Sequence, residues 1–190
     1  MGLIHAMTDP EQVFEEDGQT VTVYDGFPKA KYHYLIIPRD EIDSVSALQE
    51  RHIPLLKHMD QRANDLVARL KAKDPDAVFR CGYHMVPSMK RLHLHIVSQD
   101  FDSFRMRKKH HWNTFNTEYF IDSEALMATI EEKGCIDVNE KFYEALLESP
   151  MQCNYCFKVY ASIQEMTRHI RSHDADSVEQ RMHALQGYAK

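Results

Sequence analysis

Two histidines, His93 and His95, lie two residues apart in the otherwise apolar run 92–98, which reads LHLHIVS. A run of this length and composition predicts a buried strand. Because side chains alternate between the two faces of a strand, both imidazoles are expected on the same side. Burying polar rings without partners is costly, so the pair predicts contact with a ligand, a metal ion or a bond to be broken. The alternative is a pair of strand histidines that are hydrogen-bonded within the fold.

Two further histidines could join this pair. His33 lies inside an apolar segment, and His84 precedes His93 by nine residues, with Ser88 on the intervening loop. Each histidine by itself is more often a core residue, but four imidazoles on neighbouring strands could converge on one pocket. The pKa of histidine suits both nucleophilic and acid–base chemistry near neutral pH.

A second group of ligand-type residues has the spacing C-x2-C-x12-H-x3-H, and its members are Cys153, Cys156, His169 and His173. This is the spacing of a C2H2 zinc finger, in which a hairpin supplies two thiolates and a helix supplies two imidazoles one turn apart. Four protein ligands leave no open coordination position, so the zinc is predicted to be structural. Without the metal the finger is not expected to fold.

The finger also carries basic residues. A single finger covers about three base pairs and reads little sequence, so Lys158 and Arg168 are predicted to contact backbone phosphates. Gln164 and Thr167 could instead form hydrogen bonds with nucleic acid. The alternative is a finger that is purely structural or that binds protein.

The elements predicted to position these residues are two strands, a helix, two more strands and then two helices before the finger. Their expected ranges are 21–24, 32–37, about 46–71, 78–86, 92–98, 123–133 and about 139–148. This order favours an α+β fold with an antiparallel sheet. The basic segment that follows residue 98 is expected to be irregular through Asn116, with Trp112 as a packing residue that supports the pocket.

Composition indicates a globular chain of 190 residues with a formal net charge of −6. The charge is uneven, because residues 80–111 contain seven Lys or Arg against two Asp, a local balance of +5. Such a basic patch suits a polyanionic partner, although residues 105–109 could also form a solvated loop. No apolar run approaches the roughly 20 residues that span a bilayer, and the start lacks a signal pattern. We therefore expect an intracellular protein with no membrane partner.

The segment 87–101, PSMKRLHLHIVSQDF, closely resembles the signature of the aprataxin family of histidine-triad proteins. The segment 28–33 resembles the upstream motif of that family, and 108–120 resembles the segment that follows the signature. The finger also lies in the expected place, so the resemblance extends from about residue 9 to 173. It implies a histidine-triad-type antiparallel sheet with helices, plus a small C-terminal ββα zinc finger.

The activity implied by the resemblance is removal of AMP from the 5′ end of DNA after abortive ligation. His93 corresponds to the nucleophile that forms an adenylated histidine, and His84 corresponds to the general acid for the departing DNA 5′-phosphate. His33 and His95 match phosphate-stabilising positions. The resemblance implies no catalytic metal, and the sequence shows no second cluster of ligands beside the finger.

The resemblance also implies a set of nucleotide- and DNA-binding residues. Asp25 would accept hydrogen bonds from the ribose hydroxyls, with a turn aspartate before Gly26 as the alternative. Lys29 would lie near the nucleotide and the DNA end. The remaining members come from the loop before the signature strand and are Ser88, Met89 and Lys90.

One position departs from the family pattern, because Arg91 replaces the first histidine of the signature. By strand alternation Arg91 would share a face with His93 and would lower the pKa of that histidine. Alternatively, Arg91 lies where the strand starts and reaches a phosphate.

We divide the chain into a histidine-triad domain (1–120), a helical connector (121–150), the finger (151–175) and a tail (176–190). The expected substrate is nicked or broken DNA with an adenylated 5′ end, AMP is the product, and the nucleus is the expected compartment. The finger and the C-terminal helices could replace the dimer contact common in this superfamily and leave a monomer. The alternatives are a hydrolase of small adenylated nucleotides and an inactive zinc-finger module that binds nucleic acid.

Overall fold

A computed structural model describes residues 2–173 of the chain. The described elements are α1 (Leu3–Ala6), β1 (Val13–Glu16), β2 (Thr20–Tyr24), β3 (His33–Pro38), α2 (Ile53–Lys71), β4 (Phe79–His84), β5 (Leu94–Ser98), α3 (Lys109–Asn116), β6 (Phe120–Asp122), α4 (Ser123–Lys133), α5 (Glu140–Leu147), β7 (Met151–Gln152), β8 (Val159–Tyr160) and α6 (Ile163–Ile170). None of the described helices has the length and apolarity that a membrane crossing requires. The predicted tail lies outside the described residues.

Six strands form one antiparallel sheet in the order β1-β2-β3-β5-β4-β6, and β7 pairs with β8 in the finger. This confirms the predicted α+β class with an antiparallel sheet. In the register of the sheet, His95 lies opposite both Leu35 and Gly82, while His33 lies opposite Val97. Residues directly opposite one another share a face, so the side chains of His33 on β3, His84 on β4 and His95 on β5 lie on one side of the sheet.

The other face of the sheet packs against α2 and α4. Helix α2 buries a stripe at helical spacing, formed by Leu55, Leu56, Met59, Ala63, Leu66 and Leu70. This stripe meets the apolar face of the sheet, including Ile36, Leu94 and Ile96. The predicted start of this helix near residue 46 was wrong. Pro54 stands in the first turn, where its missing N–H costs nothing, and only short 3₁₀ turns precede it.

The segment predicted to be irregular contains a helix, α3, which is a second error. Its residues are weak helix formers, but α3 buries Trp112, Asn113 and Phe115. The Trp112 Nε1 donates to the Gln152 carbonyl at 3.1 Å, and the Asn113 amide donates to the carbonyls of Leu147 and Ser149, each at 2.9 Å. Tertiary packing therefore stabilises a helix that local preference does not predict.

Three short elements were absent from the prediction, namely α1, β1 and β6. Each has three or four residues, which is too few to show a periodic pattern. Helices α4 and α5 lie where they were predicted. Gly134, with φ of 79°, ends α4 in the left-handed region.

The finger shares its apolar core with the face of the sheet that carries His33 and His95. Met151, Tyr155 and Met166 belong to the same apolar cluster as Val97 and Trp112. The division of the chain at residues 120 and 150 therefore remains a prediction, because one core crosses both positions.

Candidate active site

The structure brings the four predicted histidines together. His95 lies at the centre, with its ring centroid 4.4 Å from that of His84, 4.8 Å from that of His93 and 5.3 Å from that of His33. Strand β5 begins at Leu94, so His93 stands one residue before the strand rather than in it. Its ring nevertheless contacts that of His95.

Hydrogen bonds assign the proton positions on three of these rings. The Lys29 backbone N–H donates to the His33 Nδ1 at 3.1 Å, so the proton of a neutral His33 is on Nε2. That Nε2 lies 3.0 Å from the His95 Nδ1 and donates to it, which leaves the His95 proton on Nε2. The His93 Nδ1 donates to the Arg91 carbonyl at 2.7 Å. The lone pair of His93 is therefore on Nε2, and a nucleophile needs that lone pair.

Two nitrogens in the cluster lack a protein partner. The Nε2 atoms of His84 and His95 are buried and have no hydrogen-bond partner among the described residues. A buried polar atom that makes no hydrogen bond destabilises a fold by about 1–3 kcal/mol, and each such atom calls for an explanation. The two nitrogens are thus available to a bound ligand that can accept or donate hydrogen bonds.

Burial keeps all four imidazoles neutral. It lowers the pKa of His33 and His93, and it lowers the pKa of His84 and His95 well below the ordinary value. The Asp25 carboxylate opposes this effect at His33 and His93. A neutral His93 is the reactive form for attack on an electrophile, so the buried site favours nucleophilic chemistry at neutral pH.

Sequence reasoning missed the aromatic wall of this site. The Phe115 ring lies 4.8 Å from the His84 ring and 5.5 Å from the rings of His33 and His95, and Phe120 packs against His84 at 5.7 Å. Phe115 and Phe120 stand in the segment that resembles the family, but nothing in their spacing singled them out. They contribute to the burial that lowers the histidine pKa values.

Asp25 belongs to a turn, as one of its two sequence interpretations predicts, and it also lies beside His33. Its Oδ1 accepts a hydrogen bond from the Phe27 N–H at 2.6 Å, which makes it a turn residue. Its Oδ2 lies 3.5 Å from the His33 Nε2, which also makes it part of the site. The structure further gathers potential metal-ligating atoms of Asp25, His33 and His95 within 4.8 Å of one another. No spacing pattern in the sequence indicates this second group, because its members are distant along the chain.

Most of the remaining predicted binding residues are exposed at the surface of the protein. Lys29 is half-buried, and burial is the main cause of its lowered pKa. Ser88 and Lys90 are exposed and Met89 is partly buried. The Lys90 ammonium lies 4.0 Å from the Asp43 carboxylate. Lys158 and Arg168 are exposed on the finger.

The four finger ligands have the geometry of a zinc site. The Cys153 Sγ lies 3.5 Å from the His173 Nε2, the Cys156 Sγ lies 3.0 Å from the His169 Nε2, and the two Nε2 atoms are 3.2 Å apart. Zn–N and Zn–S bonds of about 2.0–2.3 Å place tetrahedral ligands about 3.3–3.8 Å apart, and the two shorter separations lie within about 0.3 Å of that range. The four residues therefore fit a structural zinc ion.

The finger is hydrogen-bonded to the strand that carries His95. The Tyr155 hydroxyl donates to the Gln99 carbonyl at 2.6 Å, and Gln99 directly follows β5. The Arg171 guanidinium forms an ion pair with Asp102 in the loop beyond. The finger is thus attached to the sheet next to the candidate active site.

Comparisons with known proteins match both the sheet that carries the histidines and the zinc finger. A family model described as "Scavenger mRNA decapping enzyme C-term binding" matches residues 2–111, more than half of the chain. The chain therefore belongs to this histidine-triad-like family. A second model, "C2HE / C2H2 / C2HC zinc-binding finger", matches residues 116–175.

Within this family the chain is similar to aprataxins. It is 40% identical to the aprataxin of Gallus gallus and 42% identical to that of Ciona intestinalis, over 90% of this chain in each case. It spans about half the length of these relatives, 54% and 45% respectively. The fold matches that of the aprataxin ortholog Hnt3 from Schizosaccharomyces pombe, with a TM-score of 0.74, 20% identity and 95% coverage of both chains. The resemblance predicted from the motifs is confirmed.

Arg91, the departure from the pattern of this histidine-triad-like family, does not share a strand face with His93. It precedes β5 and has a φ of 94°. Its guanidinium donates to the Arg39 carbonyl at 2.7 Å and lies 3.6 Å from the Glu41 carboxylate. The prediction that the Arg91 side chain shares a strand face with His93 was wrong. Arg91 acts on His93 through its carbonyl, and that hydrogen bond raises the pKa of His93 against the effect of burial.

Proposed function

We propose that this protein is a DNA end-processing hydrolase that removes AMP from 5′-adenylated DNA through an adenylyl-histidine intermediate, in the repair of single-strand breaks. One observation carries the proposal: His93 has its Nδ1 proton fixed on the Arg91 carbonyl, so its Nε2 lone pair is available for attack. The Nε2 atoms of His84 and His95, which have no hydrogen-bond partner among residues 2–173, lie beside it and suit the oxygens of a phosphoanhydride. Hnt3, which has the same fold, has one solved structure in complex with DNA and another in complex with DNA and guanosine.

In the first step the His93 Nε2 attacks the phosphorus of the adenylate. The new N–P bond forms while the bond from that phosphorus to the bridging oxygen breaks, and the DNA 5′-phosphate leaves with the bonding electrons. Positive charge develops on the His93 ring. The Arg91 carbonyl stabilises this charge because it already accepts the Nδ1 proton. Water then attacks the same phosphorus and gives a proton to His84, which lost one to the departing phosphate in the first step. AMP leaves as the N–P bond returns its electrons to Nε2.

His95 and His84 act on the phosphate oxygens, and His33 acts through His95. The His95 Nε2–H donates to a non-bridging oxygen, and the hydrogen bond from His33 to the His95 Nδ1 keeps that proton in place. Burial leaves His84 neutral in the free protein. The negative charge of a bound substrate favours its protonated form, which is the form that donates a proton to the departing phosphate.

Asp25 and the surface cations would bind the two ends of the substrate. The Asp25 Oδ2 would accept hydrogen bonds from the ribose hydroxyls, while its Oδ1 holds the turn. Lys29, Ser88, Met89 and Lys90 would lie along the nucleotide and the DNA end. On the finger, no described carboxylate lies within ion-pair distance of Lys158 or Arg168, so both are available to phosphates.

Zinc would be held by the two cysteines and two histidines of the finger. Bound there, it supplies the cross-link that a finger needs in order to fold. All four ligand positions are protein atoms, so the metal takes no part in bond breaking. Nuclear localisation and a monomeric state belong to the same proposal, since the substrate is nuclear DNA and the finger packs into the same apolar core as the sheet.

The deciding experiment compares two substrates under identical conditions, 5′-adenylated nicked DNA and a small adenylated amine. We expect kcat/KM to be higher for the DNA by at least about tenfold, because cationic contacts outside the adenylate pocket contribute only with DNA. The preference should fall as salt is raised. A preference for the small amine at low salt would favour the small-nucleotide hydrolase instead, and absence of turnover on both would favour the inactive module.

A further inference from the structure

Two large aromatic side chains are exposed beside the candidate active site. The Phe104 side chain is 68% exposed on the loop after β5, and the Phe27 side chain is 58% exposed on the turn that contains Asp25. The Ser103 hydroxyl donates to the Pro28 carbonyl at 2.5 Å, which ties this loop to this turn. The two rings are thus presented together.

Arg105 lies between these rings. Its guanidinium carbon is 5.3 Å from the Phe27 ring centroid and 4.8 Å from the Phe104 ring centroid. The Arg105 Nε is buried and has no hydrogen-bond partner among the described residues. The guanidinium carbon of Arg107 lies 5.8 Å from the Phe104 ring centroid, and the Arg107 Nε donates to the Phe104 carbonyl at 2.7 Å. We call Phe27, Phe104, Arg105 and Arg107 the cation–aromatic patch.

The positive charge of this patch is not neutralised locally. Within the described part of the chain, no carboxylate forms an ion pair with Arg105, Arg107 or the neighbouring Lys108. The positive surface continues toward the histidines, since the charge of Arg105 helps lower the pKa of Lys29. The charge of Lys29 in turn adds to burial in lowering the pKa of His111 to about 4. The patch therefore suits an anionic ligand that extends from the candidate active site across this surface.

We propose that the cation–aromatic patch binds the DNA strand of the substrate, with a nucleobase stacked on Phe104 and strand phosphates against Arg105 and Arg107. The inference rests on the proposed function and adds a defined surface for the DNA outside the adenylate pocket. Exposed aromatic rings interleaved with cations are the recurring means of binding single nucleic-acid strands, because every base offers a π-face. The ion-pair-free guanidinium groups supply the phosphate contacts.

The test compares Phe104→Ala with Phe104→Trp, and the matched control is Phe142→Ala, an exposed aromatic on α5. We expect Phe104→Ala to lower affinity for unadenylated nicked DNA by about 5- to 20-fold, as loss of one stacked base predicts. The ratio of kcat/KM for adenylated DNA to that for the small adenylated amine should fall by a similar factor. Phe104→Trp should restore both quantities, and Phe142→Ala should leave both unchanged.

A spectroscopic readout separates stacking from a structural effect. A 2-aminopurine base near the adenylated end should be quenched on binding to the wild type and to Phe104→Trp, but less with Phe104→Ala. Wild-type affinity in Phe104→Ala would overturn the proposal, as would equal losses on DNA and on the small amine. If the wild type binds nicked DNA but does not cleave adenylated DNA, the proposed function fails, and the affinity measurements still decide the role of the patch.

Discussion

The proposed nucleophile depends on a backbone oxygen rather than on the side chain beside it. The hydrogen bond from the His93 Nδ1 to the Arg91 carbonyl fixes the tautomer at 2.7 Å. The Arg91 side chain points away toward Arg39 and Glu41. A residue that acts through its carbonyl can change its side chain without removing that hydrogen bond. This explains how the site accommodates an arginine where the family pattern has a histidine.

Because Arg91 acts through its carbonyl, two neighbouring substitutions should lower kcat by very different factors. His93→Ala should lower kcat on adenylated DNA by at least about 10³-fold, as loss of a nucleophile does, while its Kd for that DNA stays within about threefold. Arg91→Gly keeps the carbonyl and tolerates the positive φ, so its kcat should fall by less than about tenfold. Single-turnover kinetics and a binding titration measure both. If His93→Ala lost binding and turnover together, His93 would have a folding role instead.

At the scale of the elements, the short strand β6 positions the aromatic wall of the site. It pairs with β4, and Gly82 of β4 lies opposite both Asp122 of β6 and His95 of β5. A Cβ atom at Gly82 would lie 2.3 Å from the Ile121 carbonyl oxygen and 2.7 Å from the Phe120 ring. Glycine is therefore required for the close approach of these two strands.

Gly82→Ala is thus expected to separate β6 from β4. Such overpacking should lower the free energy of unfolding by about 1–3 kcal/mol and should reduce kcat by displacing Phe120 from His84. Urea denaturation and steady-state kinetics would measure the two effects. Gly18→Ala is the matched control, because no atom lies within 4 Å of a Cβ there. Equal stability of the two variants would contradict the tight β4–β6 contact.

At the scale of the whole molecule, the finger and the sheet are one packed unit. Tyr155 contributes to the shared apolar cluster and donates a hydrogen bond to Gln99. Trp112 connects the same finger to α3 through the Gln152 carbonyl. Zinc bound to the finger should therefore stabilise the part of the chain that carries the histidines.

Removal of zinc with a chelator should lower the Tm of the whole chain and weaken its affinity for nicked DNA. Added Zn²⁺ should restore both quantities, whereas Mg²⁺ should not. Tyr155→Phe, which keeps the ring but loses a buried hydrogen bond worth about 1 kcal/mol, should lower the Tm by about 2–4 °C. Calorimetry with and without chelator would measure these shifts. An unchanged Tm after metal removal would show that the finger folds independently of the sheet.

The sequence by itself determined what local patterns can encode. Finger ligands at fixed spacing, the His93 and His95 pair, and the stop of α4 at Gly134 depend on neighbours in the chain. Long periodic elements such as α2 were predicted except at the Pro54 end. These signals, with the motif resemblance, sufficed for the fold class and for the four candidate histidines.

Only the tertiary structure decided the contacts between residues that are distant along the chain. Helix α3 exists because Trp112 and Asn113 find partners about 40 residues later, and no local preference encodes that. The same holds for Asp25 beside His33, for Phe115 against the imidazoles, and for Phe27 and Phe104 on either side of Arg105. The Arg91 side chain points in a different direction from the predicted one because β5 begins at Leu94, after Arg91. Where a strand begins depends on its pairing with neighbouring strands. The proton positions that leave the Nε2 lone pair of His93 available come from hydrogen bonds, which exist only once the chain is folded.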